Sequence, residues 1–286
     1  MSSINTNLSA MTALQSLKST QNAMNKNQNQ ISTGLRVGEA SHNASYWSIS
    51  TQMKSDNGAL SAVKDAIGQS KAMINTFTSA MDKALTYLNK MKAGLVTASQ
   101  PGADLAKIQE EFKANIEGMK SAAGSASFNG QNWLAGAATT VNLVTSYDGV
   151  ANKVGMLAIN TADTSLFTDP TTPATGAGLL GDVALINLSG ATAAQIATHL
   201  GTVDTAITAV TKGSAMLGAN KALLETQEEF ISALSDSLTA GVSTFIDADM
   251  NEASTRNQAL QTQQQLGVQA LSMANQNSQM ILKLFQ

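Results

Sequence analysis

Apolar residues recur every seven positions along most of the chain, with polar residues filling the places between them. The longest run lies between about residues 44 and 99, where one series starts at Leu60 and a second starts three positions later at Val63. Two such series form the seam of a helix that packs lengthwise on its partners. The first series is Leu60, Ile67, Ile74, Met81, Leu88 and Leu95. The pattern therefore predicts one long helix in this part of the chain.

A second, shorter helix is predicted directly after the first. The turn from Gln100 to Gly102 ends the long helix, because the proline between them lacks the N–H that a helix interior needs. From Leu105 to Met119 apolar residues return at helical spacing, up to a loop rich in glycine, serine and asparagine. A long helix, a tight turn and a shorter helix in this order indicate an antiparallel pair.

The helical period disappears between about residues 136 and 202, where threonine, glycine and alanine dominate. Three short runs in this segment are typical of strands: Val141–Tyr147, Val154–Ile159 and Val183–Leu188. We expect a small, mostly β or irregular excursion that is exposed and weakly specified.

Both ends of the chain follow the seven-residue period but carry few charges. The period resumes at Val203, and after Gly241 a final segment, 242–286, continues it. Residues 1–35 also follow it, and they contain two charged residues against ten asparagines or glutamines. Side-chain amides can hydrogen-bond when buried without the desolvation cost of a charge. The composition of the ends therefore indicates helices that are covered by other protein.

These ends are too long for one small domain to bury. A helix over residues 242–286 would span roughly 65 Å at 1.5 Å per residue. Such a helix must lie against another long helix and against other chains. Polar disordered tails are the alternative, and we expect both states in turn, loose in the monomer and ordered on assembly.

Composition excludes several classes of protein. Charged residues make up 13% of the chain and the net charge is -3, which provides no general attraction to nucleic acid or to an anionic membrane. The absence of cysteine excludes disulfides, thiolate metal sites and cysteine nucleophiles. Residues 1–20 lack the features of a secretory signal, and no run of about 20 apolar residues could span a bilayer. An extracellular destination would therefore need a route that reads no cleaved N-terminal signal.

No motif for catalysis or cofactor binding has the context that it needs. Gly176, Gly178 and Gly181 match the spacing of a dinucleotide-binding loop, but a loop of proline and threonine precedes them where a strand is required. The two histidines, His42 and His199, lack the spacing of zinc ligands. We therefore expect no enzyme activity, no cofactor and no metal.

The two ends of the chain resemble bacterial flagellins. The residues of their motifs are most similar to those of flagellins from alphaproteobacteria. In the first half the resemblance rests on Ile4–Asn7, Ile31–Val37 and Ser127–Gly130. In the second half it rests on Val242–Arg256, Gln261–Gly267 and Met280–Phe285. It covers about residues 1–135 and 205–286.

The resemblance implies a mainly α fold. Long N- and C-terminal helices would pair as a coiled coil and accompany an elongated helical bundle, with a small β or irregular outer segment. The implied domains are 1–43 for the N-terminal inner-core helix and linker, 44–135 and 203–241 for the two parts of the bundle, 136–202 for the variable outer segment, and 242–286 for the C-terminal inner-core helix.

The resemblance also implies a function, that of a structural subunit that self-assembles into the flagellar filament for swimming motility. A hook–filament junction protein is the alternative. The implied partners are other flagellin copies, the flagellar cap and hook-junction proteins, and the export apparatus with its chaperone. The location would be extracellular, reached by type III export without a cleaved signal. The residues expected to carry assembly are Leu8, Met11, Leu14, Leu17, Met24, Ile31, Ile246, Leu260, Gly267, Leu271, Ile281, Leu284 and Phe285.

One further site follows from the resemblance. Enterobacterial flagellins carry an arginine-rich patch on the first long helix that the vertebrate Toll-like flagellin receptor binds. Aligned without gaps, these positions read Lys90, Lys92, Ala93 and Gly94 in this chain, with Glu111 retained on the next helix. Lysine does not reproduce the bidentate contacts of arginine, so we expect poor activation of the receptor.

Overall fold

The computed structural model of the chain describes residues 7–149, 151, 153–169 and 178–284, with side chains up to residue 276 in the last helix. The helices are α1 (Leu8–Thr33), α2 (Ala44–Ala98), α3 (Leu105–Ser125), α4 (Gly181–Ala184), α5 (Ala193–Ile246) and α6 (Met250–Leu284). The strands are β1 (Thr140–Asp148) and β2 (Lys153–Asn160). This architecture confirms the prediction of a mainly α fold with a small β element.

The chain forms two compact units. We call Met1–Asn57 with Asp236–Gln286 the terminal unit, and Gly58–Ser235 the central unit. Helices α2 and α5 each contribute residues to both units, because the boundaries fall inside these helices.

The core of the central unit is the seven-residue seam of α2. Every member of the series from Leu60 to Leu95 is buried, as the periodicity predicted. Helix α3 runs antiparallel to α2, since Gly94 faces Ile108 whereas Tyr87 faces Gly118. Its N-cap is formed by the Asp104 carboxylate, which accepts a hydrogen bond from the backbone N–H of Lys107 at 3.2 Å. That bond lowers the pKa of Asp104.

Two of the three predicted strands are present. Strands β1 and β2 pair antiparallel, with Leu143 opposite Leu157. The third prediction, Val183–Leu188, is wrong, because this run begins within α4 and continues as a loop. Periodicity alone does not separate a short apolar strand from a short buried helix. The loop is held instead by a side chain of α3, as the backbone N–H of Leu188 donates to Gln109 Oε1 at 2.6 Å.

The segment around these strands is anchored more firmly than its composition suggested. Trp133 is buried and stacks on Phe77 of α2, with ring centroids 4.5 Å apart. Phe167 is fully buried, and its backbone N–H donates to the carbonyl of Leu134 at 3.2 Å. The buried Thr164 hydroxyl donates to the carbonyl of Trp133 at 3.1 Å. The expectation of a weakly specified segment over residues 136–202 therefore fails for Thr164 and Phe167, since their burial and hydrogen bonds fix their position.

A glycine of α5 lies where this segment packs against the helix. A Cβ added at Gly213 would overlap the carbonyl oxygen of Asp163 and would lie 2.7 Å from Met81 Cε. We expect Gly213→Ala to lower the free energy of unfolding by about 1–3 kcal/mol, the usual cost of overpacking, although alanine is the better helix former. Urea denaturation followed by circular dichroism measures this difference.

The control for this prediction is Gly218→Ala in the same helix, where an added Cβ would meet nothing within 4 Å. This substitution should raise the free energy of unfolding by roughly 0.5–1 kcal/mol, because glycine is the weaker helix former. Equal effects of the two substitutions would show that Gly213 is not needed for close packing.

The break between α5 and α6, which lies in the terminal unit, comes later in the chain than the position at Gly241 that the sequence predicted. Helix α5 continues through Gly241 to Ile246, and α6 begins at Met250. The chain pairs across this break with the segment after α1, because the N–H groups of Arg36 and Val37 both donate to the carbonyl of Ile246, at 2.7 and 3.2 Å. A single glycine costs a helix only about 1 kcal/mol, so tertiary contacts decide where the helix ends.

Candidate functional site

Helices α1 and α6 pair antiparallel and form the candidate site. Met24 of α1 and Ala253 of α6 are buried in their seam. Leu17 faces Gly267, since a Cβ added at that glycine would lie 3.0 Å from Leu17 Cδ1 and 3.9 Å from Leu17 Cβ. Glycine therefore lets the two helices approach closely at this level of the pair.

The residues predicted to carry assembly divide into two sets where their side chains are described. Those that are buried or half-buried within the terminal unit are Leu17, Met24, Ile31, Ile246, Leu260, Gly267 and Leu271. Those that are exposed are Leu8, Met11 and Leu14. Phe285 lies outside the described residues, as do the side chains of Ile281 and Leu284. The seam residues hold the pair together, whereas the exposed residues are open to contact with another molecule.

The exposed set forms an apolar strip on α1. Leu8 is 73% exposed, Met11 57% and Leu14 56%, and together with Thr12, Gln15 and Lys18 they line a shallow depression of about 350 Å³. Large apolar side chains at helical spacing that remain exposed among the described residues are typical of an interaction surface. We call these three residues the α1 strip.

Helix α6 carries exposed apolar residues that the sequence analysis missed. Leu266 and Met273, one heptad apart on the same face, are both more than half exposed, and so is Val268. A detectable signal was present, because Leu266 and Val268 flank the seam position Gly267 and therefore had to point away from the seam. This face of α6 is a second surface without a partner in the described part of the chain.

Side-chain amides connect the two helices, as the composition of the ends suggested. Asn27 is buried and its Nδ2 donates to the carbonyl of Ala253 at 2.8 Å. Asn7 Nδ2 donates to the carbonyl of Ala274 at 3.0 Å, and Gln264 Nε2 donates to Gln21 Oε1 at 2.8 Å. The pair thus contains hydrogen bonds at several levels along its length, without a buried charge at these contacts.

The segment between α1 and α2 is held by an aromatic cluster in the terminal unit. The Arg36 guanidinium donates to the carbonyl of Phe245 at 3.0 Å and lies over the ring of Tyr46, 5.9 Å from its centroid. The rings of Tyr46 and Phe245 stack with centroids 5.6 Å apart. Cation–π contact and stacking together join the start of α2 to the end of α5.

The structure brings four of the five predicted receptor positions together. Lys90, Ala93, Gly94 and Glu111 line a depression of about 490 Å³ between α2 and α3. Lys92 is not in this group, because it forms an ion pair with Asp204 of α5. The lining of this depression contains one lysine, Lys90, and one glutamate, Glu111.

Within the described residues, no group of three or more histidines, aspartates or glutamates is arranged to hold a metal ion. The same part of the chain has no helix whose length and apolar content would let it cross a membrane.

Comparison with known proteins matches both ends of the chain. A family model described as the bacterial flagellin N-terminal helical region matches residues 4–139, and one described as the C-terminal helical region matches residues 200–285. The chain is 45% identical to a flagellin of Brucella melitensis over 100% of its own length and 99% of that protein. It is 41% identical to flagellin C and 34% identical to flagellin A of Rhizobium meliloti, over 100% of both proteins in each case.

Proposed function

This chain belongs to the bacterial flagellin family and is a structural subunit of the flagellar filament, and on that premise we propose that the α1 strip and the exposed face of α6 are its assembly surfaces. The observation that carries the proposal is the exposure of Leu8, Met11 and Leu14 on a helix whose opposite face is packed against α6. Water contact at these side chains is unfavourable, and burial against a neighbouring copy removes it.

The two surfaces support an open polymer because they differ from each other. The α1 strip and the face of α6 that carries Leu266 and Met273 are on different helices and present different exposed side chains. A surface of one copy that meets a different surface of the next copy is a heterologous contact, and such contacts produce helical filaments when they do not close into a ring. Filament growth by other flagellin copies follows from this arrangement.

Few charges oppose this association. Between Leu8 and Thr33 the only charged side chains are Lys18 and Lys26, and both are exposed. Burying amides in a subunit interface costs less than burying ammonium or carboxylate groups, because amides can satisfy one another. Polymerisation can therefore cover long stretches of α1 while burying few charges.

We extend the proposal to the five parts of the subunit. Residues 1–43 and 242–286 form the inner core with its linker, 44–135 and 203–241 the surrounding bundle, and 136–202 the outer segment. The pairing of α1 with α6 supports the first assignment. The antiparallel packing of α2 with α3 and the ion pair between Lys71 and Glu228 on α5 support the second.

The proposal also covers the route and the other partners. The subunit travels through the flagellar export apparatus as an unfolded chain delivered by a chaperone, and it joins the extracellular filament between the hook-junction proteins and the cap. The lack of cysteine supports this route, because an unfolded chain without thiols forms no disulfides during transit. No catalytic step, cofactor or metal is part of the proposed function.

Substitution of Met11 by glutamate tests the assembly surface. The carboxylate would be buried without a partner in the filament, so we expect the critical concentration for elongating filament seeds to rise at least about tenfold. The measurement is sedimentation of polymer after seeded growth, with electron microscopy of the pellet.

The matched control is Met156→Glu on β2. Met156 is 61% exposed, close to the 57% of Met11, so the two substitutions place the same charge at equally open positions. Met156 lies in the proposed outer segment, and its substitution should change the critical concentration less than about twofold. Equal critical concentrations for both variants would contradict the assignment of the α1 strip.

A further inference from the structure

Two asparagines of α1 reach across the terminal helix pair to backbone carbonyls of α6. Asn27 Nδ2 donates to the carbonyl of Ala253 at 2.8 Å, and Asn7 Nδ2 donates to that of Ala274 at 3.0 Å. Asn7 has a second role as the N-cap of α1, because its Oδ1 accepts a hydrogen bond from the backbone N–H of Ala10 at 3.0 Å. The two contacts lie near opposite ends of the pair.

Both acceptors belong to alanines, which explains how a side chain from the facing helix reaches them. A helical carbonyl that already accepts an intrahelical bond keeps a second lone pair. The small side chains of Ala253 and Ala274 let the backbones of the two helices approach closely, so that the short asparagine side chain reaches the carbonyl. The sites at which α6 can accept these bonds are therefore set by its small residues.

The apolar seam alone leaves the register of the pair ambiguous. Its members repeat every seven residues on both helices, so a slip of one heptad again places apolar side chains opposite one another. Leu17 would leave Gly267 and meet Ala274, another small residue, or Leu260. Packing at this position therefore does not exclude the slip that brings Leu17 to Ala274, whereas the slip that brings it to Leu260 would place two large side chains together.

The amide contacts do distinguish the two registers. The slip that brings Leu17 to Ala274 moves Asn27 from Ala253 to Leu260, whose larger side chain holds the backbone of α6 farther from α1. The opposite slip moves Asn27 past Met250, the first residue of α6. The Asn27 amide, which is only 2% exposed, would then lose its hydrogen bond in a place without water. The native register is the one in which this buried donor is paired.

Asn27 also has a cost that an apolar residue would avoid. Its Oδ1 is buried without a hydrogen-bond partner in the described structure, and the same holds for Asn257 Oδ1, one turn beyond Ala253 on α6. A leucine at position 27 would complete the seam and leave no orphaned acceptor on α1. A buried amide that costs stability yet selects one arrangement is the known behaviour of an asparagine in a coiled-coil seam.

We propose that Asn27, assisted by Asn7, sets the register of α1 on α6 and thereby gives every subunit in the filament the same arrangement of terminal helices. This inference rests on the proposed function, since the register matters where many copies must repeat one geometry. Asn27 is in this sense a specificity-determining residue of assembly, while the apolar seam supplies the stability.

Engineered disulfides can report the register between α1 and α6, because the chain has no cysteine of its own. A Cβ at position 267 would lie 3.9 Å from Leu17 Cβ, which is within the range of a disulfide. The pair L17C with G267C therefore reports the native register, and L17C with L260C or A274C reports a slip in either direction. Each cysteine pair is introduced with and without Asn27→Leu. The variants are polymerised onto wild-type filament seeds, and the filaments are then oxidised to form disulfides.

With Asn27 in place we expect the native pair to cross-link and the slipped pairs to remain reduced. With Asn27→Leu we expect filaments to form and the ratio of native to slipped cross-linking to fall at least about tenfold. Met24→Leu is the control, since it changes a buried seam residue without touching an amide, and it should leave the ratio unchanged.

Two results would overturn the proposal. One is native cross-linking alone in the Asn27→Leu filaments, and the other is a complete failure of Asn27→Leu to elongate seeds, because an apolar seam without the amide should still assemble. Failure of the proposed function has a different signature, namely that the protein without any substitution does not elongate the seeds.

Discussion

Replacing Gly267 by leucine should raise the critical concentration for filament growth by about five- to 150-fold and leave cells with short filaments or none. A side chain at this position begins 3.0 Å from Leu17 Cδ1, so even the first carbon is tightly placed and a leucine must push α1 away from α6. Overpacking costs about 1–3 kcal/mol, and each 1.4 kcal/mol changes an equilibrium about tenfold. Seeded polymerisation and the swimming speed of a strain that carries the substitution measure the effect.

A second substitution shows whether close approach of the two helices is the cause. Leu17→Ala removes the side chain that Gly267→Leu would meet, so the double variant exchanges the large and the small residue across the seam. We expect it to recover most of the assembly that Gly267→Leu loses. Filaments of normal length from Gly267→Leu alone would show that a glycine is not required here.

Activation of the vertebrate Toll-like flagellin receptor should need at least about 100-fold more of this protein than of an enterobacterial flagellin. The depression that Lys90, Gly94 and Glu111 line has no guanidinium and no large apolar side chain. Arginine and apolar anchors contribute about 2 kcal/mol or more each at protein interfaces, so the loss of two such anchors predicts a change of this size. A cell reporter assay with purified monomer measures the half-maximal concentration.

A restored patch should recover potency. The substitutions Lys90→Arg, Lys92→Arg and Gly94→Leu introduce two guanidinium groups and a large apolar side chain, and the Cβ at position 94 would make an ordinary van der Waals contact, 3.6 Å from Ile108 Cγ2. Lys83→Arg with Gly68→Leu provides a control elsewhere on α2, at exposed positions where an added Cβ meets nothing. Potency equal to an enterobacterial flagellin before any substitution would contradict the prediction.

The seven-residue period was sufficient to predict the long helices. The series from Leu60 to Leu95 is buried along its whole length, and the strands that start near Val141 and Val154 are also where the pattern placed them. These features depend on the repeat of apolar side chains along one chain segment, which is visible in the sequence.

Helix ends and short elements could not be predicted in the same way. Gly241 lies inside α5 although its intrinsic propensity favours an end, and the run from Val183 to Leu188 is not a strand. In both places contacts from residues far away in sequence decide the outcome, namely the pairing of Arg36 with Ile246 and of Gln109 with Leu188. Local propensities of about 1 kcal/mol are too weak to resist such contacts.

In the candidate site, too, some features were predictable from the sequence and others depended on tertiary contacts. From the sequence alone, the lack of charge and the periodicity of the ends predicted that α1 and α6 need partners, because exposed apolar seams of that length are unstable in water. Only the tertiary structure separated Leu17 and Met24 in the seam from Leu8, Met11 and Leu14 outside it, and only it paired Asn27 with Ala253. A repeat specifies which face of a helix is apolar, but the register between two repeating helices depends on contacts that exist once both are in place.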